Sequence, residues 1–273
     1  MKLLTFKQGI HPDYRKELTR DKPLQDAGRP EQVIIPLQQH IGAPLSPLVD
    51  RGDHVDYGQK IADTDSFVAA PVHASVSGVV SGIKEILTPG GSTSQAIVID
   101  ADEQDELNSG LKPRKNLEEI TPEEIRNTVR EAGITGMGGA MFPTHVKLSV
   151  PEDKQVDTFV LNGAECEPYL TVDHRIMIER PEAVVGGMKL MMKAVGVEQG
   201  FIGIEDNKPG AIETMEQAVA GEPGIEVKVF ATKYPQGGEK MMIKAALNRE
   251  VPAGGLPLNV GVVVNNVTTA VSV

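Results

Sequence analysis

The sequence predicts two folded parts: a small all-β domain, then an α/β domain on a mostly parallel sheet. Three observations carry this. Between Val33 and Ile99, short apolar runs are broken by Gly-Asp, Gly and Pro signals, which is how strands and tight turns read. From Asp157 onward, strand-like and helix-like segments alternate, and such alternation builds a parallel sheet covered by helices. Residues 101–120 between them are charged and poor in apolar periodicity, as a linker is. Residues 1–32 are polar and proline-containing and read as an extended arm.

Each element has a local reason. In the β part, Val33-Ile-Ile, Pro47-Leu-Val, Gln59-Lys-Ile-Ala, Val76 to Val80 and Ala96 to Ile99 are the candidate strands. Thr121-Pro-Glu-Glu124 opens a helix: Thr121 caps it, Pro122 suits the first turn and Glu124 closes a capping box. Gly133 should end it. Asp157 to Leu161 reads as a strand. Pro181 to Val195 reads as a helix burying Val184, Val185, Met188, Met191, Met192 and Val195, with Gly196 as its stop. Phe201 to Ile204 and Ile225 to Phe230 are further strands. Pro209 to Ala220 and Gly237 to Leu247 are further helices. The α/β domain, 121–273, is therefore expected to be Rossmann-like, with the all-β domain at 33–100.

Composition narrows the function. The chain has 273 residues, 40% hydrophobic and 24% charged, enough for two modest cores. Its net charge is −11, and only 4% of residues are aromatic, with no tryptophan. That disfavours nucleic acid, whose phosphates repel an acidic surface and whose bases need stacking rings. A single cysteine, Cys166, can form no internal disulfide and hold no iron–sulfur cluster. No stretch approaches the roughly 20 apolar residues of a membrane helix, so any membrane association requires a partner. The histidines are scattered and predict no metal site.

In a parallel sheet, ligands bind beyond the carboxyl ends of the strands. Three polar segments should converge there: Asn162 to Pro168, Glu205 to Asn207, and Tyr234 to Lys240. A glycine cluster precedes them, Gly133, Gly136, Gly138 and Gly139, followed by Phe142 and Lys147. Glycines let backbone N–H groups approach a phosphate, and Lys147 would add a positive charge. Taken alone, the cluster also fits a flexible surface loop. Glu165 and Glu167 could equally cap a helix or solvate a loop.

The strings Val49-Asp-Arg-Gly-Asp-His-Val55 and Ala70-Pro-Val-His-Ala-Ser-Val76 resemble the two halves of a lipoyl-type barrel-sandwich hybrid. The turn between them carries Asp65-Ser-Phe67 and no lysine, so no swinging-arm cofactor is expected. Gly136-x-Gly-Gly-Ala-x-Phe-Pro-Thr-x-x-Lys147, Asn162-Gly-Ala-Glu-Cys-Glu-Pro168, Gly238-Glu239 and Asn265-Asn-Val-Thr-Thr269 resemble, in order, four motifs of the FMN-bearing flavoprotein subunit of respiratory complex I. Gly9-Ile-His-Pro12, Gln39-His-Ile-Gly-Ala43 and Lys233-Tyr-Pro-Gln-Gly-Gly238 bring the resemblance closer still to the C subunit of Rnf-type electron transport complexes, over essentially the whole chain.

That resemblance implies an NADH-oxidising, FMN-binding subunit with no catalytic side chain and no metal of its own. Gly136, Gly138, Gly139 and Lys147 would hold the FMN phosphate and ribityl chain. Asn162, Glu165, Asn265, Asn266 and Thr269 would line the flavin, and Glu239 would flank both ligands. Phe142 and Glu167 would meet NADH. The resemblance further implies other Rnf subunits as partners, a peripheral place on the cytoplasmic face of the bacterial cell membrane, and a fragment that stops before SLBB-like and iron–sulfur domains holding two [4Fe–4S] clusters. Three departures from the complex I pattern stand out. Met137 replaces an arginine, Met141 a glycine and Ala164 an aspartate. A rival reading follows from them: a flavin-free docking or quinone-contacting scaffold, similar to the A subunit of the sodium-translocating NADH:quinone reductase.

Overall fold

A computed structural model describes residues 3–88, 90–102, 104, 106–111 and 119–273. Part of the expected linker, 103, 105 and 112–118, lies outside the described residues. The β domain contains β1 (Gln32–Pro36), β2 (Ser46–Pro47), β3 (His54–Val55), β4 (Lys60–Asp63), β5 (Val72–His73), β6 (Gly78–Leu87) and β7 (Thr93–Ala101). They form two antiparallel sheets, ordered β1-β7-β6-β3 and β2-β4-β5. Ile35, Val55, Ile61, Val80, Ile97 and Ile99 fill the core of this domain. Ile97 and Ile99, two apart on β7, point to the same face.

The second domain begins at α1 (Pro122–Glu131). Thr121 Oγ1 accepts the Glu124 N–H while the Glu124 carboxylate accepts the Thr121 N–H, so the expected capping box is present. Next come α2 (Thr144–Leu148), β8 (Thr158–Gly163), α3 (Val172–Glu179), α4 (Pro181–Val195), β9 (Gly200–Glu205), α5 (Pro209–Ala218), β10 (Ile225–Phe230), α6 (Glu239–Leu247), β11 (Val262–Asn266) and α7 (Val267–Ser272). In α4 the expected stripe is buried from Val184 to Met192, Val195 is partly buried at its rim, and Gly196 ends the helix with a left-handed φ of 82°.

The sheet is parallel throughout, ordered β10-β9-β8-β11. The chain steps outward from β8 to β10 and then returns to the other side of β8. The strand order therefore reverses between β8 and β11, where a crevice opens at the carboxyl edge. Six elements, β3, β5, β11, α2, α3 and α7, have no counterpart among those expected from sequence. Each is short, and the groups that cap α3 and α7, Glu165 and Asn266, lie outside the Ser/Thr-x-x-Glu pattern that marks α1.

The arm lies across the α/β domain. Leu4 bridges Phe230, and Ile10 bridges Tyr234. The β domain locks onto α1 and α2. The Arg130 guanidinium clasps Asp63 at 2.9 and 2.8 Å and reaches the Thr64 carbonyl at 2.8 Å. His145 Nε2 meets the Phe67 carbonyl at 3.0 Å. At Gly133 a side chain is impossible, because a Cβ would stand 2.2 Å from the Pro71 carbonyl and φ is +70°. The turn that would present a carrier lysine instead packs against the helices on either side of the glycine cluster.

Candidate functional site

A cavity of about 530 Å³ opens where the strand order reverses and continues along β11. Its volume falls in the range of small-molecule sites. The carboxyl ends of β8 and β11 contribute Asn162, Asn265 and Asn266. The glycine segment contributes Gly136 to Phe142, and α2 and α6 contribute Lys147 and Glu239. Leu256 to Leu258 and Val262 to Val264 supply apolar wall, and Ile41 reaches in from the β domain.

The glycine segment is held at several points. Gly136 N–H donates to the Phe142 carbonyl at 2.9 Å, which closes the loop on itself. Met137 N–H donates to Thr269 Oγ1 at 3.0 Å. Gly138 packs on Asn266, and a Cβ there would stand 2.4 Å from Asn266 Nδ2. Gly139 has open space where a Cβ would be. Met141 has a φ of +53°, a left-handed conformation that glycine adopts far more readily. The backbone thus keeps the shape suited to the glycine of the complex I pattern.

The two asparagines that close β11 differ in role. Asn266 is spent on the scaffold. Its Oδ1 accepts the Thr268 and Thr269 N–H groups at the start of α7, and its Nδ2 donates to Asp173 Oδ2 at 2.7 Å. Asp173 takes a second bond, from Thr268 Oγ1 at 2.6 Å. Burial raises its pKa, and the Thr268 and Asn266 bonds pull the other way. Asn265 is 4% exposed, and its Nδ2 has no partner. An unmatched buried donor costs about 1–3 kcal/mol; Asn265 lines the cavity, but this nitrogen is itself shut off from solvent. Asn162 donates from Nδ2 to the Gly237 carbonyl at 2.7 Å and accepts the Ala164 N–H through Oδ1.

Lys147 Nζ donates to the Val264 carbonyl at 3.1 Å and lies 3.8 Å from Glu239 Oε2. Both side chains are about one-third exposed, so the cation faces the cavity with hydrogens to spare. Glu239 opens α6, where a carboxylate complements the helix dipole.

Of the residues predicted from sequence, Gly136, Gly138, Gly139, Phe142, Lys147, Asn162, Glu239, Asn265 and Asn266 meet around this cavity. Thr269 acts one layer back, through Met137. Glu165 and Glu167 do not line it. The Glu165 carboxylate accepts the Asp173 N–H at 2.8 Å and the His174 N–H at 3.4 Å: it caps α3, the alternative its acidity allowed. Burial, then the nearby Asp173 charge, pushes its pKa up to about 7. Glu167 is exposed and hydrogen-bonded to Tyr234, whose pKa its charge raises. Cys166 is buried, and its Sγ accepts the Gly237 N–H at 3.3 Å. Among the described residues no cluster of His, Cys, Asp or Glu is arranged to hold a metal, and no helix is long and apolar enough to cross a membrane. Sequence reasoning missed Asp173 and Ile41, whose importance lies in contacts across long stretches of chain.

Residues 129–273 match the family described as the Nuo51 FMN-binding domain, and residues 4–104 match that described as the RnfC barrel sandwich hybrid domain. The chain is 52% identical over 269 residues to the C subunit of the Na(+)-translocating ferredoxin:NAD(+) oxidoreductase complex of Acetobacterium woodii, covering 98% of this chain and 61% of that protein. It is 51% identical over 271 residues to the C subunit of the proton-translocating ferredoxin:NAD(+) oxidoreductase complex of Clostridium ljungdahlii, covering 99% and 59%. Against the C subunit of the ion-translocating oxidoreductase complex of Rhodobacter capsulatus it is 42% identical over 270 residues, covering 97% and 52%. The chain thus spans less than two thirds of the length of these relatives.

Proposed function

The chain belongs to the family of C subunits of Rnf-type ion-translocating oxidoreductase complexes and carries an FMN-binding domain, and from that premise we propose that it is the NADH-oxidising, electron-input module of such a complex. The observation that carries the reading is the cavity between β8 and β11, with a glycine backbone, a lysine and the asparagines Asn162 and Asn265 on its walls. These residues suit a flat heteroaromatic ring with a phosphate tail. The apolar wall takes the ring, Asn162 and Asn265 flank its polar edge, and open Gly139 and Lys147 take the phosphate.

Bound FMN would supply the redox chemistry, accepting an electron pair as hydride from NADH and releasing electrons singly. The protein's own work is positional. Gly136 to Gly139 and Lys147 fix the phosphate, while Asn162 and Asn265 orient the ring. Asn266, Thr269 and Asp173 hold the loop in place. Glu165 acts through the fold of the segment after β8. Glu167, on that segment, and Phe142 receive the dinucleotide, with Glu239 flanking both ligands. Net charge repels a polyanionic dinucleotide at long range, so local cations such as Lys147 must do the recruiting. Onward transfer needs one-electron acceptors. In this reading they are two [4Fe–4S] clusters outside this chain, and other Rnf subunits hold the assembly at the cytoplasmic face of the bacterial cell membrane.

The test is a titration of the chain with FMN, followed by anaerobic addition of NADH. The expected result is quenching of flavin fluorescence on binding and bleaching of the visible flavin band by NADH. A folded chain that leaves FMN fluorescence unchanged would refute the proposal and favour the flavin-free scaffold.

A further inference from the structure

Two buried ammonium groups lie beneath the segment that joins β8 to α3. Lys208, 1% exposed, donates to the Ala164 carbonyl at 2.5 Å and to Asn207 Oδ1 at 2.8 Å, and its Nζ lies 3.4 Å from Glu205 Oε2. Lys16 comes from the amino-terminal arm, about 150 residues away in sequence. It is buried, and its Nζ donates to the carbonyls of Glu165, Glu167 and Leu170 at 2.8, 3.0 and 2.6 Å. The three hydrogens of one ammonium thus meet three carbonyl oxygens.

Carbonyl dipoles that converge on one point repel each other unless a cation sits there. Inward-facing carbonyl oxygens are also how proteins hold a monovalent cation. The segment needs such support, because Glu165 and Tyr169 adopt left-handed φ values of 47° and 67°, which persist only when the surroundings over-determine them. The arm straps the segment further. Tyr169 N–H donates to the Tyr14 carbonyl at 2.9 Å, and Thr171 Oγ1 donates to Thr19 Oγ1 at 2.8 Å. Burial pulls the Lys16 pKa down, and the Glu165, Glu205 and Asp173 carboxylates work against it by favouring the charged form.

We infer that Lys16 is a positioning residue: a built-in cation that holds the Glu165–Leu170 segment in the shape that receives the nicotinamide dinucleotide. The second half of this statement rests on the NADH reading above, since Glu167 lies on the segment. The first half does not.

The experiment uses the whole chain with Lys16→Ala and Lys16→Met. Methionine keeps an apolar stem in place and covers the case in which alanine fails to fold. Amide hydrogen exchange across residues 165–172, without FMN or NADH, reads the segment directly. Both variants should exchange faster there than wild type, with the central sheet still protected. Lys16→Ala leaves a hole of propylammonium size, so propylammonium chloride should restore protection and tetramethylammonium chloride should not. With FMN added, KM for NADH should rise roughly ten-fold and kcat should change much less, as expected when a substrate contact surface loosens. Unchanged exchange in both variants overturns the inference. So does loss of protection spread evenly over the α/β domain, which would make Lys16 a general stability residue. A loosened segment with an unchanged KM overturns its link to the substrate. If wild type fails to oxidise NADH while the exchange results hold, the proposed function falls and the cation role of Lys16 stands.

Discussion

Replacing Gly138 by alanine would place a methyl carbon 2.4 Å from Asn266 Nδ2 and 2.7 Å from its Cγ. One of the two must move. Asn266 is the costlier choice. Displacing it breaks the bond to Asp173 and leaves that buried carboxyl short of a partner, at about 1–3 kcal/mol, and it loses the cap on α7, worth about 0.5–2 kcal/mol. The loop will yield instead, at the cost of overpacking, about 1–3 kcal/mol. For a chain of this size each kcal/mol shifts Tm by about 2–4 °C. Gly139→Ala is the internal control: nothing lies within 4 Å of its Cβ position, and its φ is not among the left-handed ones. Its stability should stay within about 0.5 kcal/mol of wild type, yet the methyl enters the cavity at the position proposed for the phosphate. Thermal unfolding without ligand, paired with FMN titration, separates the two. Gly138→Ala should lower Tm, whereas Gly139→Ala should keep Tm and weaken FMN. Equal losses of Tm in the two variants, or wild-type FMN affinity for Gly139→Ala, would refute this account of the loop.

Three further outcomes are expected. Lys147→Ala should weaken FMN by about 1.5–3 kcal/mol, the loss of one charge-assisted phosphate contact; an unchanged Kd would put the phosphate elsewhere. Glu165 has a folded pKa of about 7 against an ordinary 4.5, so the folded state binds its proton more tightly. Its contribution to stability must fall as pH rises from about 4.5 to about 7. Denaturant titrations should show Glu165→Gln gaining stability relative to wild type across that window, and a pH-independent difference would contradict the burial of this carboxyl. Burial would raise the Asp63 pKa, but bonds from Arg130, Lys60 and the Thr64 N–H overcome it and hold it at about 2, below an ordinary 3.8. That contribution is present above about pH 4 and lost as pH falls toward 2. Arg130→Met should therefore cost about 2–3 kcal/mol at neutral pH, with the gap to wild type closing in acid; a gap that stays constant would rule out the Asp63 pairing as its source.

Reading the chain without its fold succeeded where a few neighbouring residues decide the outcome. Thr121 and Glu124 satisfy each other's backbone groups within one turn, so the start of α1 could be placed to the residue. Gly196 ends α4 because it takes a left-handed φ, and the methionines of α4 share a face because a helix repeats every 3.6 residues. The glycine loop and Lys147 were equally visible, since loops hold backbone toward ligands through a narrow choice of residues.

What the tertiary structure alone decided concerns which of several chemically able residues takes which partner. Asn265 and Asn266 are adjacent and identical in type, yet one is committed to Asp173 and α7 while the buried amide nitrogen of the other has no partner. Glu165, able to face a ligand or cap a helix, caps α3 because the turn after β8 brings it to the first N–H groups of that helix. Pairing β11 beside β8 creates the crevice, and placing Lys16 under the segment after β8 joins groups some 150 positions apart. No local rule reaches that far. Such contacts exist only once packing has fixed the approach of distant segments, because only then do burial and desolvation penalise every partner but one.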